Sequence, residues 1–214
     1  MIVSFEQMLE KAKHGEPMVL AGAAAQDADT IKAMAAAEKA GMIRPVLVGD
    51  LSVIRRVMQE ENITFCNARL VQAADMAEAC DKAVELVRRG EADFLMKGLV
   101  DTNIFLKAIL NKETGLPVHG LLSHVMTFDT MGAYHKLMIT SDGGMVLYPT
   151  LEQKIDIIKN CLPVAKALEI EEPKVAVLCA KEKVNPKMPA TVDAAELKKL
   201  GEAGEFGADV LVEG

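Results

Sequence analysis

The fold is indicated most directly by residues 175–200, which have the sequence VAVLCAKEKVNPKMPATVDAAELKKL. The stretch begins with an apolar run typical of a buried strand and ends with the apolar spacing of a helix. Between the two lie three lysines, an asparagine, two prolines and a threonine. A strand, a loop and a helix in succession form the unit from which α/β folds with a mostly parallel sheet are built.

Short apolar runs and longer helical segments alternate in this way along the rest of the chain. The predicted strands are 18–22, 45–48, 93–96, 119–126, 136–140, 174–179 and 208–212. The predicted helices are 4–13, 28–40, 51–60, 75–89, 102–111, 151–168 and 192–203. A glycine pair and a proline within residues 141–149 predict a boundary between a first domain, 1–148, and a second, 149–214.

The composition is that of a globular chain, with 214 residues, 50% apolar content and a net charge of −7. The acidic balance argues against general affinity for nucleic acid, which proteins bind chiefly through Lys and Arg contacts to phosphates. No stretch approaches the roughly 18 apolar residues that cross a bilayer, and residues 1–13 lack the pattern of a signal peptide. We therefore expect a cytoplasmic protein that binds neither nucleic acid nor membrane.

The four cysteines are scattered, with no CxxC pair and no histidine at the spacing of a metal site. They are Cys66, Cys80, Cys161 and Cys179. This pattern suggests neither a zinc site nor a disulfide framework, and we expect reduced thiols in the core and no bound metal.

Two strand-to-helix turns have the residues expected of an anion site. In 20–30, LAGAAAQDADT, an aspartate or Gln26 can cap the next helix; in 94–103, FLMKGLVDTN, Asp101 or Thr102 can do so. In the second turn Lys97 leaves the strand and Gly98 permits close backbone approach. Helix starts present unpaired N–H groups that suit phosphate or carboxylate. The alternative is an ordinary capped turn with a solvated lysine.

The third such turn is the loop of the opening stretch. Thr191 is predicted to be the N-cap of the following helix, and Asn185 and Lys187 precede it. With Lys181 and Lys183, this loop concentrates positive charge in an acidic chain. We expect it to form a local site for a phosphorylated ligand, such as the phosphates of coenzyme A (CoA).

Polar residues also interrupt the apolar run 121–128, LLSHVMTF, most of which lies in the predicted strand 119–126. Ser123 and His124 would then face opposite sides of the sheet, which disfavours a pair in which His124 activates Ser123 as a nucleophile. The non-catalytic alternative is that one of the two is a core polar group with its hydrogen bonds satisfied. Asp142, in the turn SDGG of 141–144, offers a carboxylate after a predicted strand, or serves only the turn. Neither a dinucleotide fingerprint nor a P-loop is present.

The chain closely resembles the phosphate acyltransferase family, and within it the phosphate butyryltransferases more than the acetyltransferases. The resemblance rests on AAAQDADTIKAM (23–34), RPVLVGD (44–50), GEADFLMKGLVDTNIFLKAIL (90–110), LLSHVMTF (121–128), ITSDGGMVLYPTLEQKIDIIKN (139–160) and EPKVAVLCAKEKVNPKMPATVDAAEL (172–197). It implies a three-layer α/β/α fold in two domains that enclose a cleft, of the isocitrate/isopropylmalate dehydrogenase type. It also implies a homodimer or larger homo-oligomer.

The reaction implied by the resemblance converts a short-chain acyl-CoA and orthophosphate to an acyl phosphate and CoA, reversibly. No cofactor is implied other than CoA as a substrate. In this chemistry His124 or Asp142 would serve as acid or base. The predicted substrate-binding residues are Lys97, Gly98, Thr102, Ser123, Asn185, Lys187 and Thr191.

The chain departs from the family pattern in two places. Val146 stands where butyryltransferase-like sequences commonly have Asn, and the chain ends at Gly214, before the GPL…D and SR regions of the family. We therefore expect a C-terminally truncated member. Two alternatives stay open: a fragment or paralogue that retains only ligand binding or dimerisation, and, less favoured, a nicotinamide-dependent dehydrogenase of the same fold.

Overall fold

A computed structural model of the chain describes residues 1–116, 120–132 and 134–214. Within these ranges, no helix is both long enough and apolar enough to span a membrane.

The chain divides into two compact units. One comprises Glu10–Val118, and the other comprises Met1–Leu9 together with His119–Gly214. The predicted boundary at 148/149 does not coincide with this division. Residues before 148 belong with the second unit because Leu137 and Ile139 pack in one apolar cluster with Leu168 and Ile170.

The unit Glu10–Val118 is built on a four-stranded parallel sheet with strand order β3-β2-β1-β4. Its strands are β1 (Met18–Ala23), β2 (Ile43–Gly49), β3 (Arg69–Gln72) and β4 (Phe94–Lys97). The helices that cover it are α2 (Ala28–Lys39), α3 (Leu51–Glu60), α4 (Met76–Arg88) and α5 (Thr102–Ile109). A further helix, α1 (Phe5–Lys13), precedes β1.

Helices cover both faces of this sheet. Side chains of α4 and α5 pack against one face, in a cluster that includes Ala21 and Val48. Side chains of α2 and α3 pack against the other, in a cluster that includes Leu20 and Leu47. Because neighbouring strand residues point to opposite faces, both clusters draw on the same two strands. This unit therefore has the predicted α/β/α layering.

Each of the four covering helices begins immediately after an aspartate that acts as its N-cap. The caps are Asp27, Asp50, Asp75 and Asp101, whose carboxylates accept first-turn N–H groups. Such caps satisfy N–H groups that have no partner inside the helix. Part of the acidic composition thus serves to fix where the helices start.

The second unit contains two small sheets and two long helices. Its elements are β5 (Met126–Phe128), β6 (Met138–Thr140), α6 (Leu151–Ala167), β7 (Lys174–Ala176), α7 (Pro189–Glu202) and β8 (Leu211–Glu213). β5 and β6 pair antiparallel, and β7 and β8 pair parallel. Ile158 of α6 and Leu197 of α7 share an apolar cluster with Phe206 and Val212.

The predicted helices are all present, with small differences at their ends, but the strands need three corrections. The predicted strand 119–126 is wrong where the structure describes it, because residues 120–125 form no strand and β5 begins only at Met126; residue 119 lies outside the described residues. β3 is an additional strand that the sequence did not predict. β7 and β8 are only three residues long.

Candidate functional site

The turn after β4 holds the Lys97 side chain against its own backbone. The Lys97 ammonium donates to the carbonyl oxygens of Val100 at 2.8 Å and Gly98 at 3.3 Å. These contacts fix the charge beside the start of α5. Because an ammonium has three donors, one N–H is left over for another acceptor.

Gly98 lies in close contact with the turn that follows β1. Its N–H donates to the Ala23 carbonyl at 2.8 Å. A Cβ atom at this position would lie 2.3 Å from the Ala24 carbonyl oxygen, which is backbone and cannot move aside cheaply. The glycine therefore serves the close backbone approach that the sequence predicts.

Asp27 connects the turns that follow β1 and β4. One carboxylate oxygen accepts the Thr30 N–H at 2.9 Å as the cap of α2, and the other accepts the Leu99 N–H at 3.1 Å. Partial burial acts to raise the pKa of Asp27, but the hydrogen bonds from Thr30 and Leu99 outweigh it, and the pKa is lowered. The carboxylate thus stays charged. Thr102 is the first residue of α5 and lies exposed, since Asp101 is the cap.

Thr191 is not the N-cap of α7, as the sequence predicts. The helix begins at Pro189, with Met188 as its cap, and Thr191 lies buried in its first turn. The Thr191 hydroxyl accepts the Asn185 N–H at 2.9 Å and donates to the Met188 carbonyl at 2.8 Å. Its hydroxyl therefore holds the loop against the helix and is unsuited to bind a phosphate.

The start of α7 has no side chain that caps it. Asn185 lies half-buried, and its side-chain oxygen accepts the Lys187 N–H at 2.9 Å, which shapes the loop just before the helix. The Lys187 side chain is exposed. A lysine and the uncapped, positive end of a helix dipole thus lie next to each other in sequence.

A third group of predicted residues surrounds Asp142. One oxygen of the Asp142 carboxylate accepts the His124 N–H at 2.7 Å. The other accepts the N–H groups of Gly144 and Met145, both at 2.7 Å, and of Val146 at 3.4 Å. Burial acts to raise the pKa of Asp142, but these hydrogen bonds outweigh it and lower the pKa. A carboxylate so occupied is better suited to position His124 than to exchange protons.

His124 is held from both sides of its backbone. While its N–H is bound by Asp142, its carbonyl oxygen accepts the Ser141 hydroxyl at 2.7 Å. The imidazole lies against Gly143, where a Cβ atom would be 2.9 Å from Nδ1. The His124 side chain is exposed and can meet a ligand.

Ser123 precedes β5 and does not lie in a strand, so the strand argument that separates it from His124 does not apply. It is half-buried, and its hydroxyl oxygen accepts the side-chain amide of Asn160 at 2.8 Å. The same amide nitrogen donates to the Leu121 carbonyl at 2.8 Å. Asn160 on α6 therefore holds the backbone and the side chain of this segment together.

The described ranges contain no group of three or more His, Cys, Asp or Glu side chains that could hold a metal ion. All four cysteines are free, but Cys66 is exposed and is not the core thiol that the sequence predicts. Burial raises the pKa of both Cys80 and Cys161. These two thiols are consequently unsuited to act as nucleophiles.

Comparison with known proteins shows which family this chain matches. The family described as phosphate acetyl/butaryl transferase matches residues 69–214. A phosphate butyryltransferase of Clostridium acetobutylicum is 42% identical over 99% of this chain and 70% of its own length. A phosphate acetyltransferase of Thermotoga maritima is 38% identical over 94% of this chain and 67% of its own length.

This chain belongs to the phosphate acetyl/butaryl transferase family. The resemblance predicted from the sequence is confirmed. A solved branched-chain phosphotransacylase from Enterococcus faecalis, 26% identical, covers 92% of this chain and 67% of its own, with a TM-score of 0.72. Membership of the phosphate acetyl/butaryl transferase family favours an acyltransferase over the dehydrogenase alternative.

All the predicted site residues lie in the part of the chain that matches the phosphate acetyl/butaryl transferase family. They form three local groups. Lys97, Gly98 and Thr102 lie in the unit Glu10–Val118; the groups around Asp142 and around Asn185 lie in the other unit.

Sequence reasoning missed the residues that hold these groups in place. Asn160 ends the motif LEQKIDIIKN of the resemblance and was available as a signal. Ser141 adjoins Asp142 but looks like an ordinary turn residue. The hydrogen bond from the Leu99 N–H to the Asp27 carboxylate joins residues that are distant in sequence, so a local sequence pattern cannot predict it.

Proposed function

We propose that this chain transfers a short-chain acyl group, preferably butyryl, between CoA and orthophosphate. The observation that carries the proposal is 42% identity, over 99% of the chain, to a phosphate butyryltransferase. The family match over residues 69–214 supports the acyl transfer.

In the forward direction an oxygen of orthophosphate attacks the carbonyl carbon of the thioester. The resulting tetrahedral intermediate collapses, the carbon–sulfur bond breaks, and the CoA thiolate leaves. A proton from orthophosphate balances the thiolate, so that the products are acyl phosphate and the CoA thiol. Catalysis therefore needs a site for phosphate, hydrogen-bond donors for the developing oxyanion, and a group that accepts the proton from orthophosphate and gives it to the thiolate.

We assign the phosphate site to the start of α7. Its first turn has no side-chain cap, and Lys187 adds a full positive charge beside it. N–H groups at a helix start and a neighbouring cation both favour an anion. Asn185 has the supporting role, since its side chain shapes this loop. Thr191 contributes by packing rather than by direct contact.

We assign proton transfer to His124. A neutral imidazole has one nitrogen that can accept a proton and one that can donate it, and this ring is exposed. Asp142 and Ser141 hold its backbone, and Gly143 leaves room for its ring. Asp142 is accordingly a positioning residue in this proposal.

We assign Lys97, Gly98 and Thr102 to the binding of phosphate groups, which CoA and acyl phosphate both carry. The remaining donor of the Lys97 ammonium and the exposed Thr102 hydroxyl are suitable partners for phosphate oxygens. Gly98 keeps this turn close to β1.

Three further properties belong to the proposal. The chemistry requires no metal ion and no resident cofactor, with CoA acting as a substrate. We infer a homodimer or larger homo-oligomer from the family resemblance. We also infer the two-domain architecture of the isocitrate/isopropylmalate dehydrogenase type, for which the α/β/α layering of the unit Glu10–Val118 is the support.

A thiol-release assay tests the proposal. The chain is mixed with acetyl-, butyryl- or hexanoyl-CoA, with and without orthophosphate, and free CoA thiol is followed over time. We expect release that depends on orthophosphate and has its highest kcat/KM with butyryl-CoA. Binding of butyryl-CoA without any phosphate-dependent release would instead support the alternative of a binding remnant.

A further inference from the structure

The side-chain amide of Asn160 makes two hydrogen bonds that together fix its orientation. Its nitrogen lies 2.8 Å from the Leu121 carbonyl oxygen and 2.8 Å from the Ser123 hydroxyl oxygen. A carbonyl oxygen can only accept, so the amide must present its NH₂ group to Leu121. The same NH₂ group, which can only donate, therefore also faces Ser123.

This orientation decides the direction of the second bond. Because the Asn160 nitrogen is the donor, the Ser123 oxygen is the acceptor, and the hydroxyl hydrogen has to point elsewhere. Among the residues that the structure describes, no acceptor takes that hydrogen. Ser123 is also only half-buried, so the hydrogen can reach a ligand.

Two other hydroxyls of this unit, those of Ser141 and Thr191, are in a different situation. The Ser141 hydroxyl donates to the His124 carbonyl, and the Thr191 hydroxyl donates to the Met188 carbonyl. Their hydrogens are used within the protein. Ser123 differs from both because its protein partner binds the oxygen and leaves the hydrogen available.

We propose that Asn160 is a positioning residue that fixes the Ser123 hydroxyl as a hydrogen-bond donor to a substrate oxygen. The inference rests on the proposed acyl transfer and assigns to that reaction a donor and the side chain that directs it. The oxygen belongs either to the attacking orthophosphate or to the acyl carbonyl, both of which accept hydrogen bonds. Since Asn160 lies on the long helix α6, the donor direction is set by a rigid element.

A double-mutant cycle with Ser123→Ala and Asn160→Asp tests the proposal in the full chain. A carboxylate at 160 can only accept, so it draws the Ser123 hydrogen to itself and reverses the hydrogen bond. We expect each single variant to lower kcat/KM on the order of 10- to 100-fold, the range for a hydrogen bond to a charged group. The double variant should lose far less than the product of the two single losses, because the hydroxyl that Asn160 directs is already gone and only the bond to the Leu121 carbonyl is left to lose.

The kinetic constants identify the oxygen. An increase of KM for orthophosphate alone assigns the donor to phosphate, whereas a lower kcat at unchanged KM assigns it to the carbonyl oxygen as charge develops. Gln59→Glu is the matched control, since it makes the same amide-to-carboxylate change on an exposed face of α3. It should leave both constants unchanged.

A purely structural role for Asn160 would give a different result. Asn160→Asp would then reduce kcat/KM by the same factor in the Ser123→Ala background as in the wild type, which would overturn the inference. Should Asn160→Asp fail to fold, as judged by thermal unfolding, Asn160→Ala completes the same cycle. Absence of acyl phosphate formation by the wild type would overturn the proposed function itself, whereas additive losses in an active enzyme overturn only this inference.

Discussion

Asp142 and His124 are joined by a hydrogen bond of 2.7 Å from the His124 backbone N–H to one carboxylate oxygen, while the other oxygen serves the turn after Asp142. Both sides of this carboxylate therefore face N–H donors. A side chain with two acceptor oxygens fits between them, and one with an oxygen and an NH₂ group does not. The relationship explains why a carboxylate occupies this position.

Asp142→Asn is expected to loosen the His124 segment. The asparagine can place its oxygen on the turn, but its NH₂ group then faces the His124 N–H, donor against donor. We expect a loss of about 1–2 kcal/mol in the free energy of unfolding at neutral pH and a lower kcat. Denaturant unfolding and steady-state kinetics measure the two effects. An unchanged kcat in a destabilised variant would show that Asp142 supports the fold and does not contribute to the reaction.

The same residue predicts how stability depends on pH. The pKa of Asp142 is lowered in the folded chain, so its contribution to stability is complete above the unfolded-state pKa of about 3.9. The contribution is lost as the pH falls through the lower, folded-state pKa. The difference in the free energy of unfolding between the wild type and Asp142→Asn should thus be constant from about pH 5 to about pH 7. It should shrink below about pH 4. A difference of constant size at acid pH would contradict this assignment.

Gly143→Ala should move the His124 ring without unfolding the chain. The added Cβ would lie 2.9 Å from the His124 Nδ1, so the ring must shift. We expect a lower kcat, a changed NMR chemical shift for the imidazole, and little change in melting temperature. Gly15→Ala is the control, because its Cβ meets no atom closer than 3.9 Å. Full activity of Gly143→Ala would show that the ring position is unimportant.

Gly98→Ala should destabilise the unit Glu10–Val118. Its Cβ would lie 2.3 Å from the Ala24 carbonyl oxygen and 2.9 Å from that of Ala23, so the ends of β1 and β4 would have to separate. We expect a loss of about 1–3 kcal/mol or more, measured by denaturant unfolding, with Gly15→Ala again as the control. A stability equal to that of the wild type would contradict the close backbone approach.

Lys187→Ala should weaken the binding of a phosphorylated substrate and leave the fold intact. The Lys187 side chain is exposed, so its removal costs little stability, but the anion loses a nearby charge. We expect a roughly two- to tenfold rise in KM for orthophosphate or CoA at unchanged melting temperature. Lys166→Ala, at another exposed lysine of the same unit, should behave as the wild type. Equal KM values for both variants would remove Lys187 from the site.

The helices were the most predictable part of the fold because their start signals are local. Asp27, one of the caps that the sequence offers for α2, does cap it, and α4 starts directly after Asp75, within one residue of the predicted start. The sequence places the start of α7 three residues too late, because Thr191 looks like an N-cap. A proline at the first helical position, here Pro189, is an equally common start signal.

The strands depended on partners that a local pattern does not contain. β3 (Arg69–Gln72) is a short strand at the sheet edge that exists through its pairing with β2. The apolar run before Met126 is not a strand, since its backbone is bound by the side chains of Asn160, Ser141 and Asp142 instead. These contacts span 17 to 39 residues of sequence.

The candidate residues were located by strand-to-helix turns and by polar residues in or after predicted strands, the family resemblance added the reaction, and the geometry changed some of their roles. The motif containing Asp142 is compatible with an acid–base carboxylate, but its hydrogen bonds favour a positioning role. The Thr191 hydroxyl could donate a hydrogen bond to a phosphate oxygen, but it donates to the Met188 carbonyl instead. Residue type alone could not distinguish these possibilities, because both depend on which protein groups already occupy the side chain.

Transfer of an acyl group from CoA to orthophosphate produces a new phosphorus species that ³¹P NMR can follow. Butyryl-CoA and orthophosphate are incubated with the chain, and the spectrum is followed for the acyl phosphate resonance while free thiol is measured in parallel. We expect acyl phosphate and CoA thiol in equal amounts, with the rate reduced in Lys187→Ala. Thiol released without any acyl phosphate, at every orthophosphate concentration, would contradict this expectation.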